Sequence, residues 1–90
     1  MLYNYVMLVG TFQKVEVLEN SEILTLEDED ESGNISSIPI HINGIHEELN
    51  NIEIGKIIIV RAIVKMNEGQ LQLIANKIIV PSHDGNKELL

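Results

Sequence analysis

The chain of 90 residues has no cysteine and no tryptophan, and its only aromatic rings besides three histidines are two tyrosines and one phenylalanine. Without thiols it can form neither disulfides nor thiolate–metal sites, which suits a reducing compartment, and a cytoplasmic location is expected. It also lacks any apolar run near the ~20 residues that cross a bilayer, and the opening MLYNYVMLVG lacks the basic start of a signal peptide, so no membrane partner is expected. Bases are scarce as well, with six Lys and Arg against fourteen Asp and Glu and a formal charge of −8. Taken globally, that argues against a polyanionic partner. The acids are unevenly placed, however. Glu16, Glu19, Glu22, Glu27, Asp28, Glu29, Asp30 and Glu31 follow one another with no intervening base, and outside that segment the charge is balanced.

What the sequence does hold is β-branched alternation. The stretch Gly55 to Val80, GKIIIVRAIVKMNEGQLQLIANKIIV, reads as two long strands joined by a tight turn at Asn67-Glu68-Gly69. Ile58, Val60, Ala62, Val64 and Met66 share one face of its first strand and Arg61 and Lys65 the other, a period of two. Gly55-Lys56 opens the hairpin, and Pro81, which has no amide hydrogen to donate, closes it. A hairpin alone is only marginally stable, so the preceding residues must supply further strands.

Asn4 to Leu18 reads as one long first strand bent at Gly10, able to pair with one neighbour before the bend and another after it. Glu22 to Glu27 is a short second strand, and Asp28 to Asn34 an acidic loop. In ISSIPIHI the residues Ile38, Ile40 and Ile42 point inward and Ser37, Pro39 and His41 outward, with Pro39 implying a free edge or bulge. Ile45 to Asn51 carries apolar residues four apart and early acids, as a short helix does. Residues 82–90, SHDGNKELL, read as a frayed, flexible tail. Three strands, a short helix and two more strands are the layout of an all-β, five-stranded OB-fold barrel with the helix between strands three and four, and a small α+β sandwich is the rival arrangement. The expected division is therefore a single OB-fold domain over 1–81 and a tail over 82–90.

Motifs for chemistry are thin. Asp28-x-Asp30-x-Ser32-Gly33 has the spacing of a calcium loop, but its twelfth position is Pro39 instead of a bidentate Glu, and its flanks are strands. His46-Glu47-Glu48 begins like a zinc-protease motif, yet Asn50 stands where the second histidine belongs. With no phosphate loop and no nucleophile in recognisable context, neither enzyme activity nor a metal or other cofactor is expected.

The opening strand Asn4-Tyr5-Val6-Met7-Leu8-Val9-Gly10, the segment Ile38-Pro39-Ile40-His41-Ile42-Asn43-Gly44 followed by Glu47, and Gly55-Lys56-Ile57-Ile58-Ile59-Val60 together resemble the bacterial single-stranded DNA-binding protein family, including its primosomal replication protein B branch. The resemblance spans about residues 4–80 and implies the OB-fold and a role in DNA replication, repair or mobile-element metabolism. Where the family commonly places aromatics, this chain has Ser37 and Asn43, and the family's long basic loop between strands four and five is cut to a tight turn. Binding of single-stranded DNA or RNA would then rest on Lys14, Arg61, Lys65 and Lys77, with stacking on Tyr3, Tyr5 or Phe12. The apolar outer face Tyr3, Tyr5, Met7 and Val9 implies self-association through the first strand. The alternative is an OB-fold that binds no nucleic acid and offers its acidic hairpin between strands two and three to a basic protein.

Overall fold

The computed structural model describes residues 4–90. Five strands account for most of them: β1 (Tyr5–Val17), β2 (Ser21–Glu29), β3 (Ile35–Asn43), β4 (Ile57–Asn67) and β5 (Gln70–Val80), with a five-residue 3-10 helix, Glu47–Asn51, between β3 and β4. The long first strand changes partner as its glycine foretells. Tyr5 to Thr11 pairs with β4, and Thr11 to Val17 pairs with β2. A Cβ on Gly10 would lie 2.9 Å from the Glu27 carbonyl oxygen, so only glycine lets β2 cross there at this distance. The register slips between Phe12 and Lys14, three residues beyond the glycine, and this irregularity adds local twist.

The sheet runs β3-β2-β1-β4-β5 and closes through one parallel bridge, His41 to Ile74, between β3 and β5. That closure and the helix between β3 and β4 make the fold an OB-fold barrel. Inside lie Phe12, Leu24, Leu26, Ile40, Ile42, Ile58, Val60, Ala62 and Ile78, the inward partners of each alternating strand. Leu49 of the 3-10 helix is fully buried and seals one end, whereas Ile45, expected to share that face, is exposed. Five residues make a single turn, too few to bring both apolar positions to the barrel.

Two further expectations change. The second strand runs on to Glu29, paired with Ile35, because the acids at its end face solvent on both sides and need no core to hold them. The tail expected to fray instead returns to the barrel. Lys87–Glu88 forms a short strand, β6, against Ile79 and Val80, the Leu89 amide donates to the Ile78 carbonyl at 2.9 Å, and Leu89 and Leu90 pack on the core. The two leucines supply the apolar burial that its polar residues lack.

Among the described residues one buried charge-bearing group, Glu22, interrupts the core. Glu22, with no exposed surface, accepts a hydrogen bond at 2.5 Å from the His46 amide through Oε1 and so pins the segment that enters the 3-10 helix, while its Oε2 has no hydrogen-bond partner among the described residues.

Candidate nucleic-acid interface

Outward positions of β1, β4 and β5 fall into rows across the sheet. Met7 lies opposite Arg61, and Arg61 opposite Lys77, so two of the chain's six bases face each other on neighbouring strands. Like charges in that position repel. The pair is held by its surroundings: Arg61 Nε donates to Asn76 Oδ1 at 2.9 Å, the guanidinium carbon stands 5.8 Å from the centre of the Tyr5 ring, and Lys77 Nζ lies 3.7 Å from a Glu88 carboxylate oxygen. The register between Arg61 and Ala62 is irregular, which sets Asn76 beside the guanidinium. Lys65, four residues along β4 or ~13 Å from Arg61 at strand rise, is exposed and sits opposite Gln72.

The structure therefore brings Tyr5, Arg61 and Lys77 together, with Lys65 further along the same face. It separates the others. Lys14 lies on the part of β1 that pairs with β2 and is engaged by Glu16 at 2.9 Å. Phe12, expected to stack on bases, is only 4% exposed and belongs to the core, because it lies on the inward side of β1 with Val6, Leu8 and Gly10. Tyr3 lies outside the described residues.

A second region was not evident from the sequence. From the bridge at His41 and Ile74 the free edges of β3 and β5 diverge, leaving a cleft of about 370 Å³ walled by Ile38, Pro39, Val64, Leu71 and Leu73. His41 and Gln72 line it too, their Nε2 atoms 3.3 Å apart. The two residues are 31 positions apart in the chain, and only the barrel's closure brings them into contact. The alternation that turned His41 outward was the one usable signal.

Two other surfaces are distinctive. Met7 (60% exposed), Val9 (62%) and Ile57 (57%) form an apolar outer face on β1 and β4. At its border, where β2 leaves β1, a recess of about 330 Å³ is lined by Val9, Thr11 and Ile57 on one side and Glu27, Asp28 and Glu29 on the other. Beyond it the acidic hairpin ends in a turn organised by Asp30, whose carboxylate accepts from the Ser32 and Asn34 amides at 2.9 Å each and from Asn34 Nδ2 at 3.2 Å. The Asn34 amide foremost, and the other donors with it, hold the Asp30 carboxyl below its usual value. The Asp30 carboxylate, one of the oxygens in the calcium-like spacing, is thus engaged by the turn itself. Among the described residues no helix is long and apolar enough to cross a membrane.

No family model and no curated protein matches the chain. Solved structures do match it in fold. The dimeric N-terminal domain of PriB protein from Thermoanaerobacter tencongensis is 24% identical, with a TM-score of 0.65 over 89% of this chain and 98% of that one. A chain of the S. pombe Stn1-ten1 complex is 16% identical with a TM-score of 0.62, over 86% of this chain and 57% of that one. A small single-stranded DNA-binding protein from Streptomyces coelicolor is 16% identical with a TM-score of 0.50, over 94% of this chain and 98% of that one.

Proposed function

We propose that this protein is a non-enzymatic OB-fold module that binds single-stranded nucleic acid weakly, acting in the cytoplasm in DNA replication, repair or mobile-element metabolism. The observation that carries the reading is the opposed pair Arg61 and Lys77 on an outer face that also holds Tyr5 and Lys65. In a chain of net charge −8, two cations side by side, offset within the chain only by Glu88 at 3.7 Å from Lys77, form a surface to which an anionic partner is suited. A phosphodiester strand is such a partner, and a ring beside the cations adds a stacking surface. The likeness in fold to a small single-stranded DNA-binding protein agrees with this reading. Affinity is low, micromolar or weaker near physiological salt, because few cations contribute and the acids from Glu16 to Glu31 repel the strand.

The test is a fluorescence anisotropy titration with a labelled dT oligonucleotide across a salt series. Three or four phosphate contacts give a slope of log K against log salt of about −2 to −3, and Arg61→Ala with Lys65→Ala flattens it by ~1.4. Absence of binding by the unaltered protein at about 20 mM salt overturns the reading.

A second reading has its own observation. The exposed acidic arm at the end of β2, with the recess between Val9 and Glu29 at its base, offers carboxylates over an apolar floor to a basic protein partner. Self-association is proposed through the apolar face of Met7, Val9 and Ile57, which is larger than a solvated sheet face ordinarily shows.

A further inference from the structure

We infer that the cleft between β3 and β5 is a nucleobase pocket in which His41 and Gln72 take the part that aromatic rings usually play in single-strand binding; this rests on the nucleic-acid reading above. Three observations converge on it. The walls are apolar, with the Pro39 ring and Leu71 on opposing strands, so a flat heteroaromatic ring loses little on leaving water there. The polar groups come one from each wall, His41 on β3 and Gln72 on β5, in contact across the cleft. With Gln72 Nε2 donating, His41 Nε2 accepts, which leaves the ring proton on Nδ1 and the Gln72 carbonyl oxygen and second amide hydrogen available. An amide presents a donor and an acceptor side by side, the pattern that matches the Watson–Crick edge of thymine or uracil, where an N–H lies between two carbonyls. Finally, Lys65 stands opposite Gln72 in register, and Lys77 lies further along β5. A strand whose phosphates follow Lys77 and Lys65 would pass the mouth of the cleft.

The surface thus divides its labour. The β4 and β5 cations hold the backbone without regard to sequence, and the seam of the barrel holds a base. The scarcity of aromatic residues is then no obstacle to base contact, because an imidazole and an amide between aliphatic walls serve instead. The pocket lies away from Met7, Val9 and Ile57, so a partner on that face would leave it open.

The experiment compares, at low salt, a labelled dT oligonucleotide with an abasic strand of equal length, using the unaltered chain and His41→Ala with Gln72→Ala. The unaltered protein is expected to prefer dT by about fivefold or more, the worth of one stacked base, and the double variant to lose the preference while keeping its salt slope. In parallel, the Gln72 side-chain amide resonances of the unaltered protein are expected to shift on adding dT and to stay in place on adding the abasic strand, a readout that does not depend on the variant folding. Equal binding of dT and abasic strand, a preference that survives in the double variant, or unmoved Gln72 resonances overturns the pocket and leaves the nucleic-acid reading standing. Binding of neither strand overturns both.

Discussion

Replacing Gly10 by alanine probes the point where β1 passes from β4 to β2. The new methyl carbon would stand 2.9 Å from the Glu27 carbonyl oxygen and 3.5 Å from the Leu26 Cβ. The second contact is ordinary. The first is about half an ångström too close, and its far side is backbone, which cannot swing away as a side-chain end would. Either β2 retreats, straining the Thr11 to Glu27 pairing and the Thr11 hydroxyl that donates to the same carbonyl at 3.3 Å, or β1 flattens its bend. Overpacking of this kind costs about 1–3 kcal/mol, and alanine recovers roughly 0.4–1 kcal/mol by restricting the unfolded chain. The net loss is about 1–2 kcal/mol. At a urea m-value of about 1–1.5 kcal/mol/M, the midpoint falls by roughly 1 M with unchanged slope. A midpoint equal to or above that of the unaltered protein would refute the close-approach argument.

Other outcomes follow from the same structure. Glu68 has φ of +51° and Gly69 +79°, so Glu68→Asn should stabilise the β4–β5 turn by roughly 0.5–1 kcal/mol in thermal unfolding, asparagine tolerating that region better. Glu22→Ala leaves the His46 amide without its acceptor and should cost about 1–3 kcal/mol in urea unfolding, while Glu22→Gln keeps an oxygen there and should cost clearly less; equal losses would show that the hydrogen bond is not what matters. Asp30 has a lowered folded pKa, so its contribution to the hairpin turn is present above the ordinary value of 3.8 and is lost as pH falls through the lower folded value. The Asn34 amide proton shift, followed by NMR, should titrate with a midpoint below 3.8. For self-association, sedimentation at micromolar concentration should give more than the 10.1 kDa of one chain, and Met7→Glu should return it to that mass.

The barrel was legible because each strand buries one face, and Ile38, Ile40 and Ile42 or Ile58, Val60 and Ala62 announce that face by alternation alone. Gly10 announced the change of partner in the same local way. Phe12 was legible too, since it stands in the same alternation as Val6, Leu8 and Gly10, and that period places its ring inside; its aromatic character alone made it a stacking candidate. The return of the tail rests on two leucines reaching the core after a loop of six residues, 81–86, which composition, dominated by the polar SHDGNKE, conceals. The cations were legible singly, but which of them meet is a matter of register, as Arg61 with Lys77 shows. The His41–Gln72 contact belongs to the parallel closure, the least local pairing in the molecule.

That closure also sets where the molecule opens. With a single bridge joining β3 to β5, unzipping the barrel there would turn it into an open sheet while every antiparallel ladder stays intact. Amide exchange should therefore find its lowest sub-global barrier at His41 and Ala75, well below the ladders of β1. An opened molecule would present two raw strand edges, the starting point for runaway pairing between copies. Pro39 stands on one of them, two residues from the bridge, with no hydrogen to give an incoming strand. The proline whose missing amide implied a free edge or bulge would thus hinder strand addition at that edge, and Pro39→Val, though better suited to a sheet, should make the protein aggregate sooner on warming.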